Sequence, residues 1–144
     1  MRKLVFYPLS LVYGLIVTFR NLLYDLKILR SVDFDAPVIS IGNITVGGTG
    51  KTPHTEYLVR LLKSQFRVAT LSRGYKRKTK GFLVVQTNSE VTDVGDEPLQ
   101  IKKKYPAVTV SVCEDRVAGL DQLFSSEAPP DVVLLDDAFQ HRRV

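Results

Sequence analysis

The chain has 144 residues, 44% hydrophobic and 24% charged, enough for one compact domain and unlike a disordered composition. A single cysteine, Cys113, excludes an internal disulfide and a thiolate zinc cluster, and fits a reducing compartment. Twenty basic against fifteen acidic residues leave a formal net charge of +5, which favours anionic partners without choosing among nucleotides, nucleic acid and acidic lipid.

Residues 1–30 differ from the rest. Leu4–Phe19 carries no charge, with Arg2 and Lys3 before it and Arg20 after it. A signal peptide has this outline, but no convincing small-x-small cleavage site follows. The run also falls short of the roughly 20 apolar residues that a membrane-spanning helix needs. Leu15, Phe19, Leu22, Leu26 and Leu29 recur at three- and four-residue spacing and predict an amphipathic, membrane-associated helix. Its Tyr7, Tyr13 and Tyr24 suit the headgroup level, and Arg2, Lys3, Arg20, Lys27 and Arg30 suit anionic lipid. A terminal helix packed on its own domain is the alternative.

Residues 37–144 alternate strands and helices. Strands are expected over Val38–Ile41, Val68–Ser72, Phe82–Val85, Val108–Val112 and Asp131–Asp136. Helices are expected over Thr52–Phe66, Pro98–Lys104 and Glu114–Phe124. The first of these is read from Tyr57, Leu58, Leu61 and Leu62, with Pro53 tolerated near its start. Val132–Leu135 is apolar enough for a strand buried on both faces. The order predicts an α/β fold: a parallel sheet with flanking helices, like that of P-loop nucleoside-triphosphate hydrolases, with ligands beyond the carboxyl ends of its strands. The chain closes just past a buried-looking strand and an acidic pair, so a longer protein and an incomplete domain are expected.

The segment after the first strand carries the sharpest signal. Thr45-Val46-Gly47-Gly48-Thr49-Gly50-Lys51-Thr52 departs from the usual phosphate-loop pattern only in Thr45, where glycine is usual. The glycines allow close backbone approach, and exposed N–H groups with the following helix terminus make an anion site. Lys51 is placed to reach the β- and γ-phosphates of ATP, and the Thr52 hydroxyl to ligate Mg2+. Asp136 and Asp137, at the end of the last strand, repel one another unless a cation relieves them, which makes them the matching magnesium carboxylates. A solvated acidic strand end is the bland alternative.

Arg73, at the end of the second strand, can stabilise transferred phosphate charge. Lys76, Arg77, Lys78 and Lys80 then read as a basic loop, either solvated or facing an anionic substrate or membrane. Asp96 is the candidate base that positions an acceptor hydroxyl and takes its proton late, with Glu97 in support. Helix capping by these two acids is equally open. Arg116 can reach the crevice, though a salt bridge or cap involving Asp115 and Arg116 fits as well. His141 is either a group near the site or a surface histidine, and Cys113 has no visible base partner.

Among other nucleotide-binding classes, a GTPase would carry Asp-x-x-Gly where Phe139 stands, and a partitioning ATPase a lysine where Val46 stands. A non-catalytic membrane-binding fragment remains a separate reading. Nucleic acid is not expected, because no aromatic platform accompanies the basic loop.

Four segments together, Gly42–Pro53, Ser72-Arg73-Gly74-Tyr75, Gly95-Asp96-Glu97-Pro98 and Asp136–Arg143, closely resemble the tetraacyldisaccharide 4′-kinase (lipid A 4′-kinase) family in order and spacing. The resemblance implies transfer of the ATP γ-phosphate to the 4′-hydroxyl of tetraacyldisaccharide 1-phosphate, a precursor of lipid A in Gram-negative bacteria. It implies a peripheral protein on the cytoplasmic face of the inner membrane. It assigns Lys51 and Thr52 to the phosphate loop, Asp96 to the base, and Asp136 and Asp137 to magnesium. Arg73, Glu97 and His141 fall around the crevice. Family members are more than twice as long and add a later histidine, so this chain alone is expected to show little or no full activity.

Overall fold

The computed structural model describes residues 2–42, 51–138 and 144. The chain divides into two compact units, one ending at Val32 and one beginning at Asp33.

The first unit is a single long helix, α1 (Arg2–Asp25). Along it Leu11, Leu15, Phe19 and Leu22 follow helical spacing and all are exposed, as are Val12 and Ile16 beside them. The expected stripe is shortened, because Leu26 and Leu29 lie past the helix end. Lys27 turns left-handed at φ 57°. Its N–H donates to the Tyr24 carbonyl at 3.0 Å and that of Ile28 to Leu23 at 2.9 Å, a Schellman closure made without the usual glycine. Among the described residues, no helix is long and apolar enough to cross a membrane.

The second unit is an α/β sheet. Its elements are β1 (Val38–Ile41), α2 (Lys51–Leu62), β2 (Val68–Ser72), β3 (Leu83–Val84), α3 (Val91–Val94), α4 (Asp96–Lys104), β4 (Thr109–Val112), α5 (Arg116–Phe124) and β5 (Val132–Asp136). The order across the sheet is β1-β5-β2-β4-β3. The first four are parallel, but β3 pairs antiparallel with β4, so the sheet is mixed rather than wholly parallel. A parallel return needs a long crossover, whereas the short strand β3 meets β4 from the opposite direction at the sheet edge.

Strand alternation divides the core between two faces. Val68, Val110, Val112, Val132 and Leu134 pack with Val59 of α2 and with Leu99 and Ile101 of α4. Ala69, Leu71, Val133 and Leu135 pack with Leu120 and Leu123 of α5. Every residue of β5 is buried, as its unbroken apolar run predicts for a central strand. The inner face of α2 is Thr55 and Val59, with Leu58 and Leu62 half-buried. Tyr57 and Leu61, expected to help define the packed face, are exposed. The helix also stops at Leu62, and Lys63–Phe66 forms turns.

Candidate active site

Because β1, β5, β2 and β4 run parallel, their carboxyl ends share one edge. Ile41, the last residue of β1, lies in register with Asp136, the last of β5. The strand leading into the glycine-rich segment therefore ends beside the first acid of the pair. The next helix, α2, opens at Lys51 and packs across β1 and β5. Thr52 is half-buried in its first turn. Thr45–Gly50, the Lys51 side chain and His141 lie outside the described residues.

Asp136 is 3% exposed, whereas Asp137 is exposed. Asp137 adopts φ 54°, a left-handed conformation that aspartate tolerates better than most residues. That turn directs the Asp137 N–H onto Asp136 Oδ1 at 3.0 Å. The Ala138 N–H then donates to the Ile41 carbonyl at 3.2 Å and ties the acidic corner back to β1.

Arg116 supports the corner from behind. It is 3% exposed, and it donates from Nη1 to the Cys113 carbonyl at 2.7 Å and from Nη2 to the Asp136 carbonyl at 3.3 Å. Burial, then the neighbouring Arg73 charge, lowers its pKa against the opposing pull of Asp137, Cys113 and Asp136. Arg73, Arg116, Asp136 and Asp137 thus form one electrostatic neighbourhood. The capping alternative belongs to Asp115 alone, whose carboxylate accepts from the Val117 and Ala118 N–H groups at 2.9 and 3.3 Å. Arg116 is a buried strut whose role had no signal in the sequence beyond its position after β4.

The Gly95-Asp96 turn is joined to this edge through glycines. Arg73 leaves β2 and is followed by Gly74 at φ 72°. Gly95, at φ 89°, precedes Asp96, the first residue of α4. A β-carbon on Gly95 would lie 3.3 Å from the Gly74 α-carbon and 3.3 Å from the Tyr75 carbonyl oxygen. The two backbones touch, so Arg73 and Asp96 flank one contact. Asp96 and Glu97 are both exposed in the first turn of α4, and Asp96 Oδ1 accepts from the Glu97 N–H at 3.0 Å. The α4 cap is Gly95, which makes no side-chain hydrogen bond. Both acids still sit where the helix dipole favours negative charge.

The oxygen donors suit Mg2+, which takes one or two carboxylates and keeps most of its water. A buried and an exposed carboxylate stand together at the strand end, and Thr52 lies in the first turn of the helix packed on that strand. Among the described residues, no group of three or more His, Cys, Asp or Glu side chains is gathered as a metal site. Ser72 Oγ and Arg116 Nε are buried without hydrogen-bond partners among the described residues, so this edge presents unmatched polar atoms.

The model of a family described as tetraacyldisaccharide-1-P 4′-kinase matches residues 2–144. A tetraacyldisaccharide 4′-kinase of Flavobacterium johnsoniae is 54% identical over 144 residues, covering 100% of this chain and 42% of that protein. A tetraacyldisaccharide 4′-kinase of Parabacteroides distasonis is 55% identical over 139 residues, covering 95% of this chain and 38% of that protein. A crystal structure of LpxK from Aquifex aeolicus in complex with ATP superposes with a TM-score of 0.88 at 44% identity, covering 99% of this chain and 46% of that one. The chain therefore spans about two fifths of the curated relatives it matches, and the α/β arrangement resembles that of the solved kinase.

Proposed function

Because the chain belongs to the tetraacyldisaccharide-1-P 4′-kinase family, we propose that it is part of an enzyme moving the γ-phosphate of ATP to the 4′-hydroxyl of tetraacyldisaccharide 1-phosphate, forming the bis-phosphorylated lipid A precursor. In this reading residues 37–144 are the first part of the kinase core and residues 1–30 a membrane-associated segment. The main support is the register of Ile41 with Asp136, which sets the strand before the glycine-rich segment beside a buried carboxylate.

Residues 45–52 cradle the triphosphate, and Lys51 offsets charge on its β- and γ-oxygens. Asp136, Asp137 and Thr52 would hold Mg2+, which when bound neutralises phosphate charge. Asp96 orients the acceptor hydroxyl and takes its proton as the new O–P bond forms and the bond to ADP breaks. Arg73 faces the charge that develops on the transferred group, with Glu97 and His141 beside the crevice. The exposed apolar stripe of α1 supports peripheral attachment at the inner membrane, on the cytoplasmic side where ATP is found.

The test is magnesium-dependent transfer of labelled γ-phosphate to the disaccharide lipid by the full product of this gene. Lys51→Ala and Asp96→Ala are each expected to lower kcat by about 10²-fold or more. Transfer unaffected by both substitutions rejects the residue assignments. Transfer only to an unrelated acceptor rejects the substrate.

A further inference from the structure

The loop between β2 and β3 reads in sequence as a basic loop, solvated or facing an anionic substrate or membrane, and Arg77 departs from both readings. Its side chain is 3% exposed. Nη2 pairs with Glu114 Oε2 at 2.8 Å and donates to the Gly81 carbonyl at 2.7 Å, while Nη1 donates to Thr79 Oγ1 at 3.3 Å. Thr79 Oγ1 in turn donates to the Asp93 carbonyl, and the Lys78 N–H to the Thr92 carbonyl at 2.7 Å. From the other side, the Gly81 N–H donates to Glu114 Oε2 at 2.9 Å. The guanidinium therefore draws together the β2–β3 loop, the segment after β4 and, through Thr79, α3.

Its stem lies directly beneath Gly74. A β-carbon there would fall 2.5 Å from Arg77 Cδ. Residues 73–80 and Glu114 together line an open bay of about 410 Å³. A buried guanidinium is costly unless its donors are matched, and here Nη1 and Nη2 are matched while Nε is buried without a partner among the described residues; a ten-residue surface connection does not require such a group. Arg77 has its stem against Gly74, and its own N–H donates to the Gly74 carbonyl at 3.2 Å, next to the Gly74–Gly95 contact between Arg73 and Asp96.

We propose that Arg77, clipped to Glu114, is a positioning residue for the acceptor half of phosphoryl transfer: it keeps Arg73 and Tyr75 in place against the Gly95-Asp96 turn. The inference rests on the kinase reading above. The ATP half is built on β1, β5 and α2, which the clip does not touch. Loss of the clip therefore acts through the placement of Arg73 and the Gly95-Asp96 turn, on kcat and the KM for the lipid, while the elements that hold ATP stay in place. Misplacing a reacting group by about 1 Å costs on the order of 10²-fold, so even partial loosening is measurable.

The experiment compares Arg77→Met, Arg77→Lys and Glu114→Gln in the full product of this gene, measuring kcat and KM separately for ATP and for the disaccharide lipid. Arg77→Met keeps the stem and loses the fork. It is expected to lower kcat/KM for the lipid at least tenfold and leave KM for ATP within about twofold. Arg77→Lys restores part of that loss, and Glu114→Gln gives a smaller loss of the same kind. Arg77→Met combined with Glu114→Gln is no worse than Arg77→Met alone, because both remove one clip. Unchanged lipid parameters overturn the inference, as does an equal rise of both KM values together with a fall in thermal midpoint. Should Arg77→Met not fold, Glu114→Gln decides on the same readings. No transfer by the unsubstituted protein overturns the kinase reading and this inference with it, whereas transfer insensitive to the clip overturns this inference alone.

Discussion

Gly74 and Gly95 meet backbone to backbone, each in the left-handed half of conformational space, at φ 72° and 89°. A β-carbon on Gly95 would press on the Gly74 α-carbon at 3.3 Å, and one on Gly74 would meet the Val94 carbonyl oxygen at 3.0 Å. This contact carries Arg73 and Asp96, from separate segments, to one place. Gly74→Ala and Gly95→Ala are each expected to cost about 1–3 kcal/mol from backbone strain. Denaturant midpoints check this. On the proposed kinase reading, phosphate transfer by the full product of this gene is expected to fall further than the stability loss explains, because the contact between the Arg73 and Asp96 segments is pushed apart.

Gly119 tests packing on the opposite face of the sheet. A methyl group there would lie 2.8 Å from Leu71 Cδ2 and 3.0 Å from Cys113 Cβ, between α5 and β2. Gly119→Ala is expected to destabilise by about 1–3 kcal/mol through overpacking, despite alanine's better helix propensity. Combining it with Leu71→Val should cost less than the sum of the two, because the valine vacates the crowded space. Urea denaturation of the two single variants and the double variant reads the coupling.

Asp115 caps α5 through two backbone N–H groups. Asp115→Ala is expected to cost about 1 kcal/mol, and Asp115→Asn a fraction of that, since asparagine also caps well. A loss of the same size in Asp115→Asn would contradict the capping assignment. Thermal melts of the two variants distinguish these outcomes.

Stability should decline in acid. The hydrogen bond from Lys104 holds the Glu56 carboxylate below its ordinary 4.5. Burial opposes ionisation of Glu114, but its own and the Gly81 N–H, with Arg77, bring its pKa below 4.5 as well. The hydrogen bonds from Arg67 lower Asp131 from 3.8. Each group therefore binds its proton more readily when unfolded. The stabilisation is complete above the ordinary carboxylate values and is lost as pH falls below them through the lowered folded values. Denaturant midpoints between pH 7 and pH 3 should fall accordingly, with a shallower slope in Glu56→Gln. The exposed Arg67–Asp131 share should shrink with added salt.

Local order was legible from the residues themselves. Val132–Leu135 is a strand buried on both faces, as its apolar run suggests, and Val38–Ile41 and Val68–Ser72 fall where their apolar runs place them. The segments around Arg73, Asp96 and Asp136 stood out through their family pattern, and the sheet sets Arg73 and Asp136 along one edge, with Asp96 reached through the Gly74–Gly95 contact. The end of α1 was misread because Lys27 makes a turn that sequence rules assign to glycine. The short helix α3 and the antiparallel direction of β3 left no periodic trace in so few residues.

Periodicity and turn chemistry are properties of neighbouring residues, so the sequence by itself determined most strands, most helices and the order of the candidate groups. Burial of charge depends on groups brought from elsewhere in the chain. Only the tertiary structure decided that Arg77 is clipped to Glu114 beneath Gly74, that Arg116 braces the Asp136 carbonyl, and that Asp136 is enclosed while Asp137 faces outward. The physical reason is that a charged side chain stays in solvent unless its hydrogen bonds are replaced, and the deciding partners, Glu114 for Arg77 and the Asp136 carbonyl for Arg116, come from segments that local pattern does not specify.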